Sequence, residues 1–366
     1  MQKEIAQLTR QLVAFPSTID KPEKKRAVLY YAEQWLKRNG IDNRILNHPD
    51  SPSLLAQVKG NIKKTILILA HLDVVPASEI MFQAKQSGNI LRGRGVIDDK
   101  GPAAIMMLLL NELKDELNKP TVKLLITTDE EVGGPEGAKR LAKKGVVGKI
   151  DALFVPDGGD AGTIVYKEKG MIHLTLEATG KTAHGSQPWE GENAIVKLWE
   201  AYHAIQKIFD GADTKSKNHW HPTVTIGTLN GGDAINKVPD FATMGLDIRF
   251  TEKYSLDGIK TKINQAIKGK AKIIDSKEGE LLASPPEDSI IKHYKKVMEE
   301  ELKCKITLGG EHGASDARYF SKFNIPIWLH NPKGGGGHSD EEWIDIDSSA
   351  LFLKGLKKFL TELKQD

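Results

Sequence analysis

Thr65-Ile66-Leu67-Ile68-Leu69-Ala70-His71-Leu72-Asp73 is the stretch on which the fold turns. An uncharged run leads straight into a histidine and, two residues later, an aspartate. A run this short and uniformly apolar suits a strand buried on both faces, as in a parallel sheet. Leu54 to Val58, Val122 to Thr127 and Ala152 to Val155 read the same way. Between two of these runs, Pro102 to Leu113 reads as a helix that is apolar almost all round. Buried strand, helix, buried strand is the pattern of an α/β layer architecture.

Working outward, Thr9, Leu12 and Val13 begin a helical face, and Ala27 to Ala32 belongs to a second helix that Asn39-Gly40 stops. After Gly170 the period changes. Ile172, Leu174 and Leu176 alternate with His173, Thr175 and Glu177. A helix follows, with Ile195, Leu198, Tyr202, Ile205 and Phe209 on one face. Strands at Thr223 to Leu229 and Ala242 to Phe250, a helix over Leu256 to Ile267 and a strand at Lys272 to Asp275 complete a β-α-β-β-α-β order. That is the ferredoxin-like split motif. After Ser284-Pro285-Pro286 the α/β pattern resumes, with a helix near Ile290 to Glu301, a strand at Pro326 to Leu329 and a C-terminal helix. The predicted organisation is a catalytic domain of residues 1–168 and 285–366, interrupted by a small domain at 169–284. The fold class is α/β: a mixed, largely parallel sheet flanked by helices, with an inserted α+β lid. Gly334 to Gly337 reads as a flexible loop.

Composition narrows the function. In 366 residues, 52 basic and 49 acidic side chains nearly cancel, leaving a net charge of +3. That surplus is too small to point to nucleic acid or a membrane surface. The lysine-rich stretch from Lys260 to Lys272 lacks the interleaved aromatics of a nucleic-acid face. The N-terminus carries an early acid without the apolar stretch of a signal peptide, and no apolar run approaches the length of a membrane span. The lone Cys304 excludes an intrachain disulfide and a cysteine-rich zinc site, and a reducing, cytoplasmic setting is expected. Gly180-Lys181-Thr182 lacks the upstream glycine of a phosphate-binding loop, and no G-x-G-x-x-G follows a strand.

Histidines and acids cluster just after the predicted strands. Leu69-Ala70 leads into His71-Leu72-Asp73, Thr127-Thr128 into Asp129-Glu130-Glu131, and Val155-Pro156 into Asp157. Asp98-Asp99 lies at a helix start, and the last strand leads through glycines to His338-Ser339-Asp340-Glu341-Glu342. Open α/β sheets bind ligands outside the carboxyl ends of their strands. A single carboxylate there is ordinarily a turn residue or a cap. So many together would repel one another unless a cation neutralised them. Mixed imidazole and carboxylate donors suit zinc, cobalt or manganese better than calcium or magnesium.

These motifs resemble those of the dinuclear-zinc amidohydrolases that include acetylornithine deacetylase, succinyl-diaminopimelate desuccinylase, carboxypeptidase G and several dipeptidases. The matching residues are His71-Leu72-Asp73, Gly93-Arg94-Gly95…Asp98…Lys100-Gly101, Asp129-Glu130-Glu131, Asp157, Ala183-His184 and Gly337-His338. They occur in the family's order along essentially the whole chain. The resemblance implies two Zn2+ per chain, with Co2+ or Mn2+ as alternatives. His71 and Asp157 would hold one metal, Glu131 and His338 the other, and Asp98 would bridge them. It implies that the metals activate a shared water, that Glu130 is the general base and that Asp73 orients the His71 imidazole. His184 would support the oxyanion in the opposite subunit, which implies a homodimer joined through the lid. Asn236 and Arg249 match positions that hold substrate, Arg249 by gripping a carboxylate. Gly313 lies in a loop resembling the family's substrate loop, where backbone could approach the ligand closely.

The implied reaction is hydrolysis of an amide bond in a dipeptide or N-acyl amino acid. A peptidase and a biosynthetic N-acetyl or N-succinyl deacylase would share every one of these residues. A binding protein without turnover is the reading from another class, and the intact Glu130 and five-ligand set count against it.

Overall fold

The computed structural model describes residues 1–209 and 219–364, which divide into two compact units. The first comprises the described residues within 1–167, 283–311 and 315–364, and the second those within 168–282 and 312–314.

The first unit is built on a nine-stranded mixed sheet. From one edge the order is Asp42–Leu46, Ser53–Val58, Pro120–Thr127, Ile62–His71, Ala152–Val155, Ile327–Leu329, Thr163–Glu168 and Leu282–Ala283, with Thr307–Glu311 also paired to Thr163–Glu168. The four central strands run parallel, so their carboxyl ends share one edge. Helix Lys100–Leu113 packs against helices Gln2–Val13 and Ile346–Glu362. All its residues except Asn111 and Glu112 are buried. Burial of each large aliphatic side chain there contributes about 1.5–3 kcal/mol, which makes this helix the centre of the core.

The second unit is a four-stranded antiparallel sheet in the order Thr223–Gly231, Phe241–Phe250, Gly170–Thr179, Lys272–Gly279, with helices Ala194–Gln206 and Leu256–Ala266. Ile172, Leu174, Leu176 and Ala178 stand opposite Ile248, Leu246, Met244 and Ala242, and all eight are buried. Asn193 and Ser255 cap the two helices through their side-chain oxygens.

Several local readings need correction. The first helix is Gln2–Val13, so Thr9, Leu12 and Val13 close a helical face rather than open it. Pro16 restricts the residue before it and prevents continuation. Ser53–Val58 is largely buried like the central strands but runs antiparallel to both its neighbours, because burial on two faces does not specify direction. Gly334 and Gly335 form a short strand against Trp343 and Ile344 instead of a flexible loop. A side chain at Gly334 would meet Ile97 Cδ1 at 2.5 Å, so glycine here serves close packing. The edge strand Asp42–Leu46 is largely solvent-facing and carries no apolar run to announce it.

Candidate metal centre

The parallel pairing determines where the chemistry sits. His71 is in register with Thr127, and Leu329 with Val155. The segments holding Asp73, Glu130, Glu131 and Asp157 therefore leave the sheet along the same edge. Asp98 arrives from the loop before helix Lys100–Leu113, and His338 from the hairpin that joins Gly334–Gly335 to Trp343–Asp345.

Two donor groups result. His71, Glu130 and Asp157 bring ligand atoms within 4.8 Å of one another, and so do Asp98, Glu131 and His338. Asp98 lies between them. Its Oδ1 is 3.1 Å from His71 Nε2, and its Oδ2 is 3.0 Å from His338 Nε2. His71 Nε2 also lies 3.7 Å from Asp157 Oδ2, and His338 Nε2 is 3.0 Å from Glu131 Oε2.

The donors fit divalent cations. His71 Nε2 is buried and makes no well-directed hydrogen bond despite its close carboxylate neighbours. A nitrogen aimed at carboxylate oxygens without hydrogen-bond geometry is what a shared cation requires. The charge balance agrees. Burial and the neighbouring Asp98 push the carboxyls of Glu131 and Asp157 each up to about 7. Burial, then Asp157 and Asp316, drives Glu130 well above the ordinary range. Hydrogen bonding to Asp98 raises His338 to about 9, against the effect of burial. Burial works against a charged Asp98, yet the two histidines hold it below the usual carboxylate range. Protons thus take the place of positive charge that bound cations would supply.

Backbone contacts aim individual oxygens. Glu131 Oε1 accepts the N–H of Val75 at 3.2 Å, leaving Oε2 for His338. Asp73 Oδ2 accepts the N–H of Glu131 at 3.0 Å. The His71 ring is held by the backbone carbonyl of Asp73, 3.1 Å from Nδ1, while the nearer Asp73 carboxylate oxygen is 3.5 Å away. Asp99, fully buried, accepts the N–H of His71 at 3.0 Å and fixes the end of that strand.

The remaining candidate residues lie in or beside the second unit. The N–H of Gly185 donates to the Asn236 carbonyl at 2.7 Å, which brings the His184 and Asn236 segments together. His184 is exposed, and its Nδ1 accepts the N–H of Ser186 at 3.2 Å. In the neutral ring the proton then sits on Nε2, which is left as a donor. Arg249 makes a two-pronged contact with Asp247, at 2.7 and 3.0 Å, and Asp247 is also 3.3 Å from His173. Its guanidinium is therefore engaged within the sheet. At Gly313 an added Cβ would meet no protein atom within 4 Å, so no packing within the chain requires glycine here.

Arg94, Asp99 and Glu342 escaped the sequence reading. The first two lie inside or beside a matched motif and Glu342 ends the acidic run after His338, but the sequence gives none of them a role of its own; all three are buried.

The family model for peptidase family M20/M25/M40 matches residues 67–362. A protein from Staphylococcus aureus described as a probable succinyl-diaminopimelate desuccinylase is 27% identical, covering 91% of this chain and 90% of its own length. Among solved structures, a tripeptidase from Staphylococcus aureus aligns with a TM-score of 0.80 and 20% identity, over 99% of this chain and 98% of that one. A dinuclear metal-binding M20 peptidase from Bacillus subtilis aligns with a TM-score of 0.71 and 17% identity, over 98% and 97%. With four fifths of its length matched by the family model, this chain is an amide-bond hydrolase belonging to peptidase family M20/M25/M40.

Proposed function

We propose that the chain holds two divalent cations and hydrolyses the amide bond of a dipeptide or an N-acyl amino acid. The observation that carries this reading is Asp98, whose two oxygens face two separate histidines at 3.1 and 3.0 Å. His71, Asp157 and Asp98 would hold one cation, and Glu131, His338 and Asp98 the other, with zinc, cobalt or manganese suiting the donors. When bound, such a pair supplies Lewis acidity to a carbonyl and acidifies water.

Within this scheme Glu130 is left out of both ligand sets but stays beside His71 and Asp157. It takes the proton of the attacking water and returns it to the departing nitrogen. Asp73 holds the Glu130-Glu131 turn through the N–H of Glu131. His184 of the partner subunit donates Nε2–H to the oxyanion. Asn236 lies on the segment beside His184 and would contact substrate there. Arg249 grips a substrate carboxylate only if it gives up one prong of its contact with Asp247.

The second unit offers a surface for a homodimer. Val196 and Trp199, one turn apart on helix Ala194–Gln206, are about half exposed, and Leu229 is exposed on the edge strand Thr223–Gly231. An unpaired strand edge beside apolar side chains is suited to pairing with a second copy. Cys304 is an exposed, free thiol, which supports a reducing, cytoplasmic setting. Among the described residues, no helix is long and apolar enough to cross a membrane.

Metal analysis of the purified protein, together with turnover of dipeptides, N-acetyl and N-succinyl amino acids under zinc, cobalt and manganese, tests the proposal. Two equivalents per chain with chelator-sensitive turnover are expected, and the substrate group decides between peptidase and deacylase. Failure to take up metal on reconstitution would remove the site assignment.

A further inference from the structure

Glu342 is fully buried, and both oxygens of its carboxylate are used. Oε2 accepts from Arg94 Nη1 at 2.7 Å. Oε1 accepts three backbone N–H groups, from Gly95 at 2.9 Å, Ile97 at 3.0 Å and Asp98 at 3.2 Å. Three N–H groups converging on one oxygen form a concave anion cradle, here filled by the protein's own side chain. Gly95, at φ +90°, supplies a backbone conformation that such a loop needs and that other residues rarely adopt.

The position of Glu342 gives this cradle a role beyond packing. It follows His338 by four residues and immediately precedes the strand Trp343–Asp345, whose Trp343 pairs with Arg92. The N–H of Gly93 donates to the Glu342 carbonyl at 3.3 Å. One residue therefore ties the loop that presents Asp98 to the hairpin that presents His338. Its side-chain hydrogen bonds all go to residues 94–98. The other cation position shares Asp98 but depends on Glu342 less, because its remaining ligands, His71 and Asp157, extend from strands Ile62–His71 and Ala152–Val155.

We propose that Glu342 is a positioning residue that sets the spacing of Asp98 and His338, and thereby controls occupancy of the Asp98–Glu131–His338 cation position. This inference rests on the dinuclear reading above. A glutamine at 342 has one oxygen to offer the three N–H groups, but it turns an NH2 group or an uncharged oxygen toward Arg94. The loop then loses the charge-assisted half of its anchor. Removing one partner of a buried ion pair is costly, so truncation to alanine would confuse folding with positioning.

The test is a stepwise Co2+ titration of wild-type and Glu342→Gln protein. Visible absorption follows the cobalt environment, and metal analysis after gel filtration gives the stoichiometry. Wild type is expected to take two equivalents. The variant is expected to bind its first equivalent within about twofold of wild-type affinity and its second at least about tenfold more weakly, within the range found for residues that orient metal ligands. Two equivalents bound with wild-type affinities, or equal weakening of both steps, overturns the positioning role. Fewer than two equivalents on wild type overturns the dinuclear reading instead, before any variant is read. Should Glu342→Gln not fold, Glu342→Asp is read by the same criterion, since it keeps the charge and withdraws the carboxylate by one methylene.

Discussion

The carboxylate of Asp73 accepts the backbone N–H of Glu131 at 3.0 Å. A motif carrying an aspartate two residues after a ligand histidine invites the view that the carboxylate orients the imidazole. Here the backbone carbonyl of Asp73 lies nearer to His71 Nδ1 than its carboxylate, which faces the ring at 3.5 Å and also links two ligand-bearing segments. Asp73→Asn keeps an oxygen for the Glu131 N–H, whereas Asp73→Ala removes it. Turnover is expected to fall about 10–100-fold in the alanine variant and by clearly less in the asparagine variant. Steady-state kinetics at matched metal loading make the comparison. Equal losses in the two variants would mean that the negative charge acting on His71 matters more than the hydrogen bond.

Glu130 stands close enough to His71 and Asp157 to be a third ligand in their group. Assigning Asp98 Oδ1 to that group instead leaves Glu130 free to carry a proton. The two roles separate in Glu130→Gln. As a base, its loss lowers kcat about 10²–10⁴-fold with two metals retained. Metal analysis showing only one equivalent in the variant would make Glu130 a ligand and require another group for proton transfer.

Charge in the metal-free site gives a pH prediction with a definite sign. Glu131 and Asp157 have carboxyls raised to about 7 by burial and by Asp98, above the values of the unfolded chain. Folding therefore favours their protonated forms, and that contribution is lost as pH rises through about 7. His338, raised to about 9 chiefly by its hydrogen bond with Asp98, contributes stability that is present below its ordinary value and is lost as pH rises through about 9. Both effects have the same direction. The Tm of chelator-treated protein should fall between pH 5 and pH 9, and added Zn2+ should raise Tm more at pH 8 than at pH 6, because binding must displace those protons. Differential scanning fluorimetry across that range tests this, and a Zn2+ effect independent of pH would contradict it.

The parallel centre of the sheet was legible because its strands are buried on both faces and end in acids or histidine. Ile62–His71 and Ala152–Val155 announce themselves in this way, and strand ends are where open α/β sheets collect ligands. The alternation in Gly170–Thr179 marked the antiparallel unit equally well. What was not legible shares a different cause. Asp42–Leu46 lies at a wet edge and has little apolar signal. The pairing direction of Ser53–Val58 depends on its neighbours, not its own composition. Glu342 reads as one more acid in a polar run, because its four donors come from a loop more than 240 residues away. Burial of a charge by distant backbone groups leaves no local pattern. Arg249 has a residue type that fits a carboxylate grip, and its pairing with Asp247, two residues before it, is a contact the sequence does not announce.

Trp199 and His184 allow the dimer to be tested in two independent ways. Trp199 is half exposed, on the same face of its helix as Val196 and stacked edge-on with His203 at 4.7 Å between ring centres. A charge there would be desolvated in any interface covering that face, so Trp199→Glu should shift the protein from dimer to monomer by light scattering while leaving metal content unchanged. His184→Ala should lower kcat about 10²–10³-fold, the cost of removing one oxyanion donor, also without changing metal content. If His184 acts across the interface, Trp199→Glu should lose turnover to a similar extent, because a monomer leaves the site without its donor. Heterodimers of His184→Ala with Glu130→Ala decide the point. One of their two sites combines an intact Glu130 with an intact His184 from the other chain, so mixed dimers should recover up to about half the wild-type turnover per dimer by counting functional sites. Verified heterodimers that stay inactive would place His184 in the service of its own chain.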